Sequence, residues 1–493
     1  MARGFFREGK HYSIYEISEN LGEKTEETKR LADSLKRYGI LKAVRKSAPE
    51  FEDLSDHDIV LTWPSENRRD VKYVFDFVGV IVLGRHVFKC YPKYISASEP
   101  VSQLKKVLKV IRKYSVREQR IYSYSGEGDT FSFNRLLLFL HLMEDYFNNG
   151  IYTNSQEITE RNGEGEILWD RTINETIALI RKGRPYYTEV LTQSVADNEA
   201  DYFRRLHQCI LSKCSVELQE LGILDLFDME EIQLTEFDIE DFGDRDYILY
   251  RLRQEMEIQF ITWKQNLLRT LYIYIENGRS DKNDESFGVY GTNSFHLVWE
   301  KVCAANFGNM LNEKLENLPM GVSERYRKRK SETLLDIIEC PIWHGNAPEI
   351  YDGKVRTLKP DTVRIYPYNE KGDYCFGIFD AKYYCIEFIR GKSGWKVTRQ
   401  PGVGDVTKQY LYQMAFDDFI TSQGYRQVRN VFLIPREEAD PAYGYVEMGM
   451  LHTVGNKQLE NIRLTGLCAE KMYDDYLADR QLENIVEIIE RSE

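Results

Sequence analysis

Along residues 376–384, Phe-Gly-Ile-Phe-Asp-Ala-Lys-Tyr-Tyr, an apolar run is broken by an acid and a base two positions apart. Strand side chains alternate faces, so this spacing predicts one face carrying Phe376, Ile378, Asp380, Lys382 and Tyr384. Upstream, Thr-Val-Arg-Ile-Tyr (362–366) reads as a second strand, with polar turn residues between the two runs. A different period appears at 293–311. There Phe295, Val298, Trp299, Val302 and Ala305 fall at helical spacing, Asn293 or Ser294 is a candidate cap, and Gly308 a candidate stop. Phe307 lies off that stripe.

The same reading organises the rest of the chain. Residues 1–50 are expected to form a winged-helix-like unit, with one helix over 13–22 and a second from Thr25, whose inward positions are Leu31, Leu35 and Ile40. Thr25 and Thr28 resemble a capping box, and Lys29, Lys36 and Arg37 are available for DNA, although Glu26, Glu27 and Asp33 share the helix and favour a scaffold role. Residues 51–125 look mixed β/α and end in a helix with Leu104, Val107, Leu108 and Ile111 turned inward. Residues 126–285 look mostly helical, including a long amphipathic stretch at 246–276, and 276–288 reads as a linker. A mixed-sheet domain flanked by helices is expected at 289–440, and a helical, acidic tail at 441–493. The expected fold class is therefore α+β and multidomain.

Composition narrows the partners. The 493 residues carry a net charge of −13, with 42% hydrophobic and 29% charged positions, as in globular proteins. No apolar run is long enough to span a membrane, since Arg135–Phe147 soon turns acidic, and the N-terminus lacks a signal-peptide core; a cytoplasmic location is expected. Eight cysteines without paired spacing fit reduced thiols. His207, Cys209 and Cys214 lack the second ligand pair of a zinc site. Charge is also unevenly spread. Residues 105–120 hold seven bases and one acid, a surface for DNA or a solvated helix face; residues 225–246 hold ten acids and one base. Arg325, Arg327, Lys328, Arg329 and Lys330, five bases in six residues, suit a phosphate backbone.

The chemistry concentrates on the predicted hairpin. Asp361 follows a proline at the start of the first strand and can converge on Asp380 in the second. Two converging carboxylates make an oxygen site for a hard divalent cation, and Mg2+ is the one expected. Lys382 can then orient a water or offset charge on a scissile phosphate. The plainer alternative is a surface ion pair on an edge strand. Glu300, beside the Trp299/Val302 stripe, is a candidate accessory acid, with Asp336, Glu339 and His344 as alternatives.

A helical Glu, then Pro-Asp, then Asp-x-Lys on the next strand, followed by a Gln-bearing helix over 407–419, resembles the PD-(D/E)xK nuclease core. Residues 71–95, Val-Lys-Tyr-Val-Phe-Asp-Phe-Val-Gly-Val-Ile through Pro-Lys-Tyr-Ile, are similar to the front strands of McrC-type restriction subunits. Together these resemble the LlaJI family of restriction endonucleases, relatives of McrC. The resemblance implies metal ligation by Asp361, Asp380 and the backbone carbonyl of Ala381, polarisation of the attacking water by Lys382, an accessory role for Glu300 and support from Gln409. It implies double-stranded DNA as substrate, anti-phage defence as setting, and a separate McrB-like AAA+ GTPase as partner. The chain has no G-x-x-x-x-G-K-[ST] loop, and Gly402–Gln409 has the wrong spacing for one, which agrees with a nucleotide-hydrolysing partner.

The expected reaction is Mg2+-dependent hydrolysis of DNA phosphodiesters. Two other classes compete: a non-catalytic adaptor that docks on DNA or a motor, and a stand-alone repair nuclease.

Overall fold

The computed structural model describes residues 4–52, 59, 71–117, 134–277, 287–341, 357–369, 372–392, 394–454 and 457–490. It is a mixed α+β chain that divides into two compact units. One comprises residues 1–81, 87–131 and 290–493, the other residues 82–86 and 132–289.

The first unit is built around a five-stranded sheet in the order Thr362–Pro367, Tyr374–Ala381, Gln427–Arg436, Ile462–Cys468, Asp440–Val446. The first pair is antiparallel, the next two are parallel and the last is antiparallel. Strands buried on both faces read as continuous apolar runs. Cys375, Phe376, Ile378 and Phe379 are accordingly all fully buried. One face meets the helices Phe295–Asn306 and Ala469–Leu477 through Phe379, Val431, Trp299, Val302 and Tyr473. The opposite face, through Val363, Ile365, Phe376 and Ile378, packs on Phe416 and Phe419 of the helix Val403–Gln423. Trp299 donates its indole N–H to the Leu433 carbonyl at 3.0 Å, which fixes helix to sheet.

Two expectations change here. The region 441–493 is not simply helical, because Asp440–Val446 and Ile462–Cys468 complete the sheet. Ile462–Cys468 pairs with Gln427–Arg436 on one side and with Asp440–Val446 on the other, and no local period announces either pairing. Phe307, off the expected stripe, is nevertheless buried, packing at a tilt on Phe379 with ring centroids 4.9 Å apart. It reaches the core because its backbone is still helical, with φ −76° and its N–H bonded to the Cys303 carbonyl at 2.9 Å, so it extends the Trp299–Cys303 row by one turn before Gly308 at φ 63° ends the helix.

The N-terminal segment of this unit has helices Ile14–Leu21 and Thr25–Arg37, and a three-stranded sheet of His11–Tyr12, Val71–Phe75 and Leu41–Arg45. Leu31, Leu35 and Ile40 are buried as expected. The capping box sits one helix earlier than Thr25: Ser13 and Glu16 cap each other's backbone. Thr28 instead turns inward and donates to the Lys24 carbonyl at 3.1 Å. Lys29 pairs with Glu26 and Arg30 with Glu27 on that second helix.

The basic helix is Val101–Arg117. Leu104, Val107, Leu108 and Ile111 are buried, as their spacing predicts. Its bases find a third use: Lys106 pairs with Glu470 and Asp474, and Lys113 with Asp479, so the helix is clamped to the acidic helix Ala469–Leu477. Residues 118–120 of the basic stretch lie outside the described residues.

The second unit mixes helices with strands, which corrects the expectation of a mostly helical 126–285. Arg135–Asn149, Tyr202–Glu220, Arg245–Ile258 and Thr262–Asn277 are helices. Between them Ser155–Arg161, Leu191–Asp197 and Glu166–Ile167 form a sheet, and Ala178–Arg181 pairs with Arg184–Tyr187. These strands are polar and exposed along much of their length, so no alternating apolar face marks them. The amphipathic stretch 246–276 is two helices, divided at Gln259–Ile261. Acidic residues here act as caps: Asp201 and Asp244 accept from first-turn N–H groups. His207 is buried and accepts from the Tyr152 N–H at 3.2 Å; burial pulls its pKa down to about 3. Most of the expected linker, residues 278–286, lies outside the described residues.

Candidate active site

The hairpin register sets the two aspartates against each other. Thr362 pairs with Phe379, so the preceding Asp361 and the following Asp380 stand opposite at the open end of the strand pair. Both lie on the sheet face that carries Val363, Ile365, Phe376 and Ile378. The Ala381 N–H donates to Oδ2 of Asp361 at 2.9 Å, which ties the Asp361 carboxyl to the residue after Asp380. Asp380 is 4% exposed. Burial first, then the facing Asp380 charge, push the Asp361 carboxyl far above the usual carboxylate range.

The strand ends at Ala381, three residues short of Tyr384, to which the expected alternation extends. Lys382 therefore lies just beyond it, with its N–H donating to the Leu433 carbonyl at 2.9 Å. Its ammonium sits between two carboxylates, 2.7 Å from Oδ2 of Asp380 and 2.8 Å from Oδ1 of Asp405. Burial alone would lower this ammonium's pKa. The charges and hydrogen bonds of Asp380 and Asp405 outweigh burial and raise it. Past the strand end the alternation shifts, so Tyr383, rather than Tyr384, becomes the buried tyrosine.

Asp405, in the first turn of Val403–Gln423, is the residue that sequence reasoning missed. It lies inside the glycine-bearing run set aside as unsuited to phosphates, and nothing local marks it as the partner of Lys382. Asn309 was missed as well. Its amide donates to the Asp361 carbonyl at 2.8 Å, while its Oδ1 accepts from the N–H groups of Val363 and Leu311. One side chain thus fixes the backbone at Asp361 and just after it.

Glu300 projects from Phe295–Asn306, half-buried. Burial raises its pKa, Lys359 opposes the rise, and Asp380 adds to it. It is near enough to feel the pair's charge without bonding to it. Gln409 is fully buried and donates to the Ile378 carbonyl at 3.1 Å and to Asn430 Oδ1 at 3.3 Å, holding its helix against the strand that bears Asp380. Asp336 is exposed and caps the short helix Leu334–Ile337 through Thr333. Glu339 is exposed, with its backbone carbonyl bonded to Thr357. His344 lies outside the described residues.

The basic run 325–330 is largely neutralised in place. Arg325 pairs with Asp418, Arg327 with Glu324, Arg329 with Glu332 and Lys330 with Glu316, while Lys328 is exposed. Beside Lys382 opens a pocket of about 430 Å3 lined by Glu8, Lys42, Asp76, Lys93 and His296 among others.

Among the described residues no three His, Cys, Asp or Glu side chains converge at metal-binding distance. The corner formed by Asp361 and Asp380 supplies two facing carboxylates whose mutual repulsion a hard dication relieves. That donor chemistry fits a cation of the Mg2+ or Ca2+ type better than a soft metal.

Comparison with known proteins assigns the class. The family model for LlaJI restriction endonuclease matches residues 77–465. The chain belongs to the LlaJI restriction endonuclease family. It is 28% identical over 417 residues to a Bacillus subtilis (strain 168) protein named type II restriction enzyme BsuMI component YdjA, covering 83% of this chain and 81% of that one. Among solved structures, it aligns with a chain from an assembly of Thermococcus gammatolerans McrB AAA+ hexamers with bound McrC, at 12% identity and a TM-score of 0.35, over 96% of this chain and 99% of that chain. A chain of the McrBC complex from the same organism aligns over 55% of this chain and 79% of that chain, at 11% identity and a TM-score of 0.19. Among the described residues no helix is long and apolar enough to cross a membrane.

Proposed function

We propose that this chain is the DNA-cleaving subunit of a restriction system, a PD-(D/E)xK nuclease that hydrolyses phosphodiesters of double-stranded DNA. The observation that carries the reading is the opposition of Asp361 and Asp380 beside an ammonium held between two aspartates. Membership of a restriction endonuclease family supports it.

Asp361, Asp380 and the Ala381 carbonyl are the groups that would hold Mg2+, which would supply Lewis-acid polarisation of a phosphoryl oxygen. The chain's own residues do the rest. Lys382 keeps its proton and offsets the negative charge that grows on the phosphate oxygens. Asp405, 2.8 Å from that ammonium, gives it a second carboxylate partner besides Asp380. In the overall reaction a water oxygen bonds to phosphorus, the P–O3′ bond breaks, and the departing 3′-oxygen takes up a proton.

The domain reading follows from the same proposal. The winged-helix-like unit at 1–50 and the McrC-like region at 51–125 serve docking and guidance, and 289–440 with the strand Ile462–Cys468 forms the nuclease. The partner is a McrB-like AAA+ GTPase that supplies the nucleotide hydrolysis for which this chain has no P-loop, and the setting is cytoplasmic anti-phage defence. Incubating DNA with Mg2+ and the protein, with and without such a GTPase and GTP, tests the reading. Cleavage by the wild type that Asp380→Ala abolishes is expected; equal cleavage by both contradicts it.

A further inference from the structure

A DNA-cutting site needs a surface that seats the duplex, and the basic run first expected to do so is occupied by its own acids. The segment joining Lys382 to Asp405 presents a different one. Glu387–Gly391 and Gly394–Thr398 form an isolated antiparallel ribbon, paired from Glu387↔Thr398 to Gly391↔Gly394. Its base is anchored. Ile386 is buried among Phe432 and Ile434, and its carbonyl accepts from the Tyr443 hydroxyl. Arg399 ties the other side to Glu387 at 2.6 Å and lies over the Phe51 ring. Above that base every described residue from Glu387 to Val397 is exposed.

The ribbon is positive and aromatic. Arg390, Lys392, Lys396 and Arg399 face a single acid, Glu387, and Arg399 takes that acid. The other three bases have no carboxylate partner among the described residues, in a chain whose net charge is −13. Cross-strand pairing sets Arg390 beside Trp395, and the indole is 70% exposed. A two-stranded ribbon is of a size that enters the major groove, and a cation next to a rigid aromatic suits phosphate plus base or sugar contact.

We infer that the ribbon 387–398 is the element that engages duplex DNA and delivers it to the Asp361–Asp380 corner, with Arg390, Lys392 and Lys396 on phosphates and Trp395 against the groove floor. Both ends of the ribbon lead into site residues, Lys382 before it and Asp405 after it. DNA held on the ribbon is thereby registered to the carboxylates. The inference rests on the nuclease reading above.

The test uses the full chain and a fluorescently labelled duplex in Ca2+, read by anisotropy across a salt series. The triple variant Arg390→Gln/Lys392→Gln/Lys396→Gln is expected to bind at least ~30-fold more weakly at low salt. Its slope of log affinity against log salt should be shallower by about 2.7, at ~0.9 per phosphate contact. Trp395→Ala should weaken binding by roughly tenfold, within the range for loss of one aromatic contact. Mn2+ binding at the Asp361–Asp380 corner, followed by calorimetry, should be unchanged in both variants. Wild-type affinity and slope in the triple variant overturn the inference, and if Asp380→Ala still abolishes cutting, the nuclease reading survives that result. No duplex binding by the wild type overturns it too. A triple variant that binds DNA normally but no longer assembles with an AAA+ partner reassigns the ribbon to protein docking and equally overturns it.

Discussion

The main-chain N–H of Ala381 donates to Oδ2 of Asp361 across 2.9 Å, joining the end of one strand to the carboxylate that begins the other. This bond aims Asp361 at Asp380, and the crowding of a half-buried acid against a buried one is the clearest electrostatic feature of the site. A dication that binds there must stabilise the fold by mass action. At about a hundredfold excess over its Kd the gain is ~2.7 kcal/mol, visible as a rise in melting temperature. Mn2+ or Mg2+ should raise the melting temperature of the wild type, and removal with EDTA should reverse the rise. Asp380→Asn should show little of either. An undiminished shift in that variant places the cation elsewhere.

Asp405 is expected to act through Lys382. Asp405→Asn leaves the ammonium with one carboxylate, and loss of such an orienting partner costs roughly 10–100-fold in activity. The loss should appear in kcat, with DNA affinity unchanged, while Lys382→Met should be inactive and folded. A purely structural Asp405 would instead lower the melting temperature and spare kcat in the protein that remains folded.

Asn309 secures the backbone at Asp361 and Val363 with two hydrogen bonds and its own loop, through the Leu311 N–H, with a third. Asn309→Ala leaves partly buried peptide groups unpaired, at about 1–3 kcal/mol. The same change frees Asp361, so cation affinity should fall beyond what the stability loss explains. Calorimetric titration on the folded variant decides this, and an unchanged cation affinity makes Asn309 a fold residue only.

Much of this site was legible because its signals are local. Two short runs with turn residues between them gave the hairpin, and the register inherent in a hairpin brought Asp361 to Asp380. The 295–306 helix and its stripe were equally plain. What escaped depends on distant partners. Asp405 matters only because Lys382, on another element, reaches it. Arg325, Lys106 and Lys113 look free in sequence, yet their acids, Asp418, Glu470, Asp474 and Asp479, come from segments far along the chain. The strand Ile462–Cys468 forms only because Gln427–Arg436 offers a parallel edge.

Glu8 links the N-terminal segment to the strand end. It accepts from the Tyr383 hydroxyl and from the Lys93 N–H at 3.2 Å, under 8% exposure. Burial raises its pKa from 4.5 to about 7, against the opposing pull of Lys93 and Tyr383. The folded state therefore holds this proton more tightly than the unfolded chain. The associated stability is fully present below about pH 4.5 and is lost as pH rises through 7, a change of about 3 kcal/mol. Denaturant melts between roughly pH 5 and pH 8 should show this decline in the wild type, and Glu8→Gln should remove it. Parallel declines in the two proteins would assign the titration to another group.

The central claim is that Asp361, Asp380 and Lys382 cut DNA. The most direct measurement is cleavage of a mixed plasmid pool in Mg2+ by the wild type and by Asp380→Ala, each with and without a McrB-like GTPase and GTP. The account predicts cutting by the wild type when the partner and GTP are present, and none by the variant under any condition. Cutting by Asp380→Ala at the wild-type rate, or intact plasmid in every reaction, would contradict it.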